Sequence, residues 1–188
     1  MHINNSLLHV NEIKKIIHQH FGIKDTKCHL LRSHINDVYE IASFNRKYIL
    51  KIFSSSKPKE EVVFEIKYLV FLNSQGIIVN TPVSTTDNKK YIALEYPEGK
   101  RYAILFYYNN GVEIDYRKAS NAFSYGKSVA KLHLASKEYK PSYTNEIDTF
   151  QLFLDAINII EIFFTTYKSE QWIFFNDYFQ KLINKIKT

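Results

Sequence analysis

Apolar positions along the first half of the chain recur at two different periods, and each change of period marks an element boundary. Val10, Ile13, Ile16, Ile17 and Phe21 share one face at helical spacing, and Gly22 closes that run. Strand-like runs come next over 28–32, 37–43 and 47–53, with Phe44-Asn45-Arg46 as the hairpin turn between the last two. Pro58 then opens a helix whose first turn carries Glu60 and Glu61, where the helix dipole favours carboxylates, and Gly76 ends it. A short extended piece over 81–84 leads to a turn at Asp87-Asn88. Strands over 91–96 and 101–108 come next, separated by the turn signal Pro97-Glu98-Gly99.

After Gly111 the pattern turns wholly helical. A helix over 117–137 sets Ala119, Ala122, Phe123, Gly126, Val129, Ala130, His133 and Leu134 on one stripe, and Pro141 interrupts it. Two more helices, over 147–167 and 170–187, complete the chain. Strands with a helix first and helices alone afterwards predict an α+β protein in two lobes. The first is 1–108, with a leading helix over 10–21; the second is a helical region over 109–188, with the boundary near Asn109 to Gly111.

Composition narrows the class. At 188 residues and 45% apolar, the chain can bury one sizeable core or two small lobes, and it is not a disordered tail. Fourteen Tyr and fourteen Phe against five Gly and four Pro suit thick elements joined by few turns. A single cysteine, Cys28, excludes an internal disulfide and a cysteine-based metal site. No stretch reaches membrane-spanning length, and the first ten residues lack a charged segment leading into an apolar run. A soluble cytoplasmic protein with no membrane partner is expected. The formal charge of +6 is spread along the chain, which describes a solvated face better than a nucleic-acid stripe. A mild positive field also suits an anionic nucleotide.

The most informative side chain is Lys51, which shares a strand face with the apolar Ile49 and Phe53. A lysine there either snorkels to the strand edge or has a fixed anionic partner. On the helix after Pro58, the apolar stripe Val62, Ile66, Leu69, Val70 and Leu72 includes Glu65 at 100° per residue. A carboxylate on a buried stripe wants a cation, because an unpaired buried charge costs several kcal/mol or so. Lys51 lies just upstream, and a Lys51–Glu65 pair is expected. His133 reads as a hydrogen-bonded core histidine. His18 and His20 face different sides of the first helix and do not form a metal site. Trp172, Phe174, Phe175, Tyr178 and Phe179 read as lobe packing, part of it exposed and association-prone.

Several segments in order resemble the phosphotransferase family of aminoglycoside, choline and homoserine kinases, over roughly residues 20–140. They are Ser33 to Tyr39, Tyr48 to Phe53 with Lys51, Glu65 to Leu72 with Gly76-Ile77 and Thr81-Pro82-Val83 after it, Tyr102 to Tyr108 with Gly111 after it, and Gly126 to His133. The resemblance implies a protein-kinase-like fold, with an antiparallel N-lobe sheet, one packed helix, and the first helices of an incomplete helical C-lobe. It implies ATP as cofactor, with Lys51 on the α- and β-phosphates and Glu65 orienting Lys51. It places Asn36 and nearby amides toward phosphate, though ordinary hairpin duty for Asn36 is an equal reading. The backbone around Phe106 to Tyr108 would meet adenine.

The chain departs from the family in two respects. The Ser33 to Tyr39 turn has no glycine. None of the seven histidines, at 2, 9, 18, 20, 29, 34 and 133, has Asp two residues after it, and no Asp-x-Asp occurs. No catalytic or metal-binding residue is therefore assigned, and Mg is expected only if a missing catalytic segment is supplied. The expectation is a kinase-like phosphotransferase fragment, truncated before the catalytic loop, that binds nucleotide but is inactive alone. It would be a fragment, a split-gene product or a pseudokinase, with partners in a downstream polypeptide completing the C-lobe or in self-association through its aromatic helices. The alternative is a non-enzymatic interaction module built on those same C-terminal helices.

Overall fold

Alternating runs of side chains pair into one antiparallel sheet in the computed structural model, which describes residues 6–44, 46–143, 149–166 and 171–186. The strands are β1 (Thr26–Ser33), β2 (Asp37–Ser43), β3 (Arg46–Ile52), β4 (Ile92–Tyr96) and β5 (Gly99–Tyr107). Their spatial order is β1-β2-β3-β5-β4, so the last strand pair adds to β3 through β5. The β2–β3 hairpin sets Ser43 opposite Arg46, and Phe44 takes a left-handed φ of 48° to make the reversal. Asn45, expected in that turn, lies outside the described residues. Pro82 bridges Phe106, which ties the extended piece before β4 to the far side of β5.

Both sheet faces are covered because successive side chains point opposite ways. The helix α1 (Val10–Phe21) buries Ile13 and Ile17 against Tyr39, Ile41, Leu50, Ile52 and Leu105. Gly22, at φ 67°, caps α1 by donating its N–H to the His18 carbonyl at 2.9 Å. The helix α2 (Lys59–Ser74) covers the other face, with Val62 and Ile66 on Phe53, Ile104 and Phe106. It ends as the spacing predicts. Ile77 N–H reaches Leu72 O, Gly76 N–H reaches Asn73 O, both at 3.0 Å, and Gly76 takes the left-handed φ of 72° this closure needs. Val70 departs from the expected stripe. It winds past the buried edge of α2 and is 49% exposed.

Buried charge on the α1 face escaped the sequence reading. Arg101, only 1% exposed, donates from Nη2 to Asp37 Oδ2 at 2.7 Å and from Nε to the Phe53 carbonyl at 2.7 Å. Its Nη1 donates to the Ser6 carbonyl at 3.1 Å and faces Glu98 Oε1 at 3.5 Å, while the guanidinium lies 4.5 Å from the centre of the Tyr96 ring. Ser33 donates to Asp37 Oδ1 at 2.6 Å, and Ser6 donates to both Glu98 oxygens. One guanidinium thus ties the segment before α1 to the ends of β2, β3 and β5, and Ser33 joins the end of β1 to it through Asp37.

Cys28 packs partly buried against the same core. Burial pushes its thiol up to about 11, with Lys14 pulling the other way. Near pH 8 that leaves about a hundredth of an ordinary thiol's thiolate. Iodoacetamide should accordingly alkylate the native protein at least about 10-fold more slowly than the urea-unfolded chain. Equal rates in a timed labelling experiment would show that the thiol is not shielded.

The chain divides into two compact units, one running to Tyr143 and one beginning after it. In the first, α3 (Ala119–Ser136) corrects an expectation. It buries none of its residues, Phe123 and Leu134 on its stripe are 75% and 64% exposed, and His133 is a surface residue rather than a core one. The stripe has helical periodicity, but among the described residues no element of this unit covers it. The segment after α3 instead clasps α2: Tyr139 packs on Phe64, Tyr68 and Phe71 at centroid distances of 5.9, 5.1 and 5.0 Å. Tyr68 OH also meets Ser136 Oγ at 2.5 Å.

In the second unit, α4 (Thr149–Thr166) and α5 (Gln171–Ile186) pack through aromatic rings, with Phe164 at 6.0 Å from Trp172 and 5.4 Å from Phe175, and Phe153 at 6.2 Å from Phe179. Phe174 and Tyr178 of the same run are exposed. The expected helix ends at 147–148, 167, 170 and 187 lie outside the described residues. Among the described residues, no helix is long and apolar enough to cross a membrane.

Candidate nucleotide cleft

The alternation of β3 sends Tyr48, Leu50 and Ile52 to the α1 core, which leaves Ile49, Lys51 and Phe53 on the α2 side. Two turns into α2, Glu65 reaches back toward that strand. Lys51 Nζ donates to Glu65 Oε1 at 2.8 Å, each side chain 26% exposed. The pair expected from the two periodicities is therefore formed, and the snorkelling alternative is not the one adopted. Glu65's second oxygen faces another cation, Lys57 Nζ at 3.8 Å, which also pairs with Glu61 at 3.2 Å. The Phe53 ring underlies both ammonium groups, 4.4 Å from Lys51 Nζ and 5.3 Å from Lys57 Nζ. With a cation on each side of the Glu65 carboxylate, the Lys51 ammonium is directed by a defined ion pair, with further N–H donors left for a ligand.

Beside this pair lies a cleft of about 420 Å³. Val38, Ile49, Leu69, Val79 and Phe106 make its apolar walls, and Arg32, Lys51, Glu65 and Asn80 its polar ones. Asn80 Oδ1 accepts from Asn109 Nδ2 at 2.7 Å, which ties the segment after α2 to the segment after β5. An apolar slot with two cations among its walls is complementary to a flat base carrying a polyphosphate. Among the described residues, no three His, Cys, Asp or Glu side chains converge as a metal-holding group.

Of the residues singled out from sequence, Lys51, Glu65 and Phe106 line this one cleft. Asn36 does not. It sits in the β1–β2 turn, where its carbonyl accepts from His34 N–H at 3.4 Å. Tyr108 lies just beyond β5 at a separate depression of about 610 Å³ with Arg46, Lys47, Tyr107 and Asn110, its ring 5.4 Å from Lys47 Nζ. The amides of Tyr107 and Tyr108 are both engaged, donating to Thr81 O at 3.1 Å and Lys47 O at 3.2 Å. An adenine seeking a backbone N–H at this point must find it after Tyr108. The sequence reading missed Arg32, Lys57 and Asn80. For Lys57 a signal existed, since it precedes Glu61 by one helical turn and Glu65 by two.

No family model matches the chain. It is 29% identical over 170 residues to an uncharacterized protein of Synechocystis sp., an alignment covering 89% of this chain and 47% of the relative. A second relative, an uncharacterized protein of Deinococcus radiodurans, is 26% identical over 136 residues, covering 72% of this chain and 40% of that protein. The chain therefore spans less than half the length of these curated relatives. Similar solved structures include a microcompartment-associated aminopropanol kinase, with a TM-score of 0.64 at 17% identity over 76% of this chain and 46% of the other. An amicoumacin kinase in complex with AMP-PNP and Ca2+ gives 0.63 at 20%, over 72% and 42%. A spectinomycin phosphotransferase in complex with ADP and spectinomycin gives 0.56 at 12%, over 87% and 54%. At such identities the likeness establishes the fold. This chain has the antiparallel sheet and packed helix of a protein-kinase-like N-lobe, with helices after it.

Proposed function

We propose that the chain binds ATP in the cleft between the sheet and α2, as the nucleotide-gripping part of a kinase-like phosphotransferase for small molecules. The observation that carries this reading is the 2.8 Å Lys51–Glu65 pair on the wall of an apolar cleft. Lys51 would hold the α- and β-phosphates, Glu65 would keep its ammonium aimed, and Ile49, Val38 and Phe106 would enclose the base. Solved structures of similar fold hold AMP-PNP or ADP, which supports the choice of ligand class. In this reading residues 1–108 form the nucleotide lobe and the chain after Tyr108 begins the hinge and helical lobe. A protein that uses ATP would work in the cytoplasm, the compartment expected from the sequence.

Glu65 is already engaged by two lysines, and the 188 residues hold neither a His-x-Asp nor an Asp-x-Asp. The chain by itself is accordingly assigned binding without phosphoryl transfer, and Mg no site of its own here. Thermal unfolding with and without millimolar ATP tests the reading. A ligand held only by the folded state at about 100 times its Kd stabilises by about 2.7 kcal/mol. For a chain of this size that raises the melting temperature by roughly 5–10 °C. A melting curve that neither ATP nor ADP moves would sink the nucleotide reading and favour an interaction module instead.

A further inference from the structure

We propose that Arg32 is a second phosphate-contacting side chain, working with Lys51 to select nucleotides that carry a polyphosphate; the inference rests on the nucleotide reading above. It starts from an irregularity in the sheet. Leu30 stands opposite Tyr39, yet Arg32, two residues on, stands opposite Val38, so β1 carries one extra residue against β2. Such a bulge re-aims the residues beyond it. In an unbroken ladder Leu31 would occupy the place opposite Val38. The bulge gives that place to Arg32 and the next one, opposite Asp37, to Ser33. Ser33 duly bonds Asp37 on the α1 side, which puts Arg32 on the opposite, cleft side.

The register then runs straight across the sheet. Arg32 is opposite Val38, and Val38 is opposite Lys51, so two cations flank one small apolar residue in a single cross-strand row. Strands lie about 4.8 Å apart, so the two α-carbons are roughly 10 Å apart, a span that both long side chains can close over a polyphosphate. Both line the same cleft. Their states differ in the respect that matters. Lys51 is held by Glu65, whereas the Arg32 side chain has no hydrogen bond or ion pair among the described residues, and its guanidinium fork is available. That fork matches two phosphate oxygens at once, which a lysine cannot do. An ordinary solvated arginine on an edge strand would need neither the bulge nor a place in the cleft wall.

Titration calorimetry of the full chain with ATP, ADP and adenosine, on the unaltered protein, Arg32→Gln and Arg32→Lys, tests the assignment. Arg32→Gln should weaken ATP about 10-fold to 100-fold. Adenosine affinity should stay within about twofold, and Arg32→Lys should recover part of the loss. The melting temperature without nucleotide should not change, since Arg32 is an exposed residue with nothing to lose in the fold. ATP affinity unchanged in Arg32→Gln overturns this inference while leaving the nucleotide reading intact. An equal loss for ATP and adenosine also overturns it, as a general effect on the cleft. Failure of the unaltered protein to bind ATP overturns both.

Discussion

Replacing Arg101 with leucine should lower stability by about 3–5 kcal/mol, the usual cost of removing one partner from a buried ion pair. The side chain is 1% exposed, as is Asp37, its partner at 2.7 Å. Deleting the guanidinium leaves Asp37 and Glu98 as buried carboxylates with a reduced set of donors, and it strands the carbonyls of Phe53 and Ser6. In a unit of this size such a loss moves the melting temperature by roughly 10–20 °C. The mechanism can be separated from simple loss of packing. Most of the cost belongs to the uncompensated carboxylate, so the double variant Asp37→Leu with Arg101→Leu should regain a large part of it. A single variant that melts within about 2 °C of the parent, or a double variant worse than the sum of its parts, would refute this account.

Lys51→Ala should behave in the opposite way, nearly silent in the fold and severe for the ligand. Its ion pair is about a quarter exposed on both sides, and Glu65 keeps Lys57, so stability should change by no more than about 1 kcal/mol. ATP, by contrast, loses a charge-assisted donor at its phosphates, worth about 1.5–3 kcal/mol, or roughly 10-fold to 150-fold in affinity. At a fixed millimolar ATP concentration about half or more of the nucleotide-dependent rise in melting temperature should disappear. Adenosine binding should survive, because the apolar walls are untouched. A Lys51→Ala protein that ATP stabilises as fully as the parent would remove Lys51 from the site, whatever its distance to Glu65. Together the two variants separate the two charge clusters of the sheet: Arg101 holds strand ends together on one face, and Lys51 pairs with Glu65 at the cleft on the other.

The elements of the first unit were legible because their rules are local. Period-two alternation marks β2 and β3, helical spacing marks α1 and α2, and Gly22 and Gly76 sit where a left-handed residue closes a helix. Lys51 and Glu65 were legible for the same reason. Each broke an apolar face of its own element, and two opposite charges facing one interior have strong cause to meet. Periodicity also had a limit, visible on α3. Its stripe is real, but a stripe becomes a buried face only when another element covers it, and His133 and Phe123 are at the surface of this unit.

The contacts that the fold alone decided join residues far apart in the chain or displaced by a break in register. Arg101 meets Asp37 across 64 positions, and no local pattern marks that pairing. Tyr139 reaches back to clasp the helix that carries Glu65. Arg32 faces the cleft because one extra residue in β1 shifts the ladder by a place, and from the sequence its parity is that of a residue on the other side. The sequence by itself determined the strands, the helices and the one ion pair that two local periods aim at each other. The tertiary structure decided which faces are covered, which charges are buried and which cations line the cleft, because those depend on register and on packing partners that no stretch of chain contains alone.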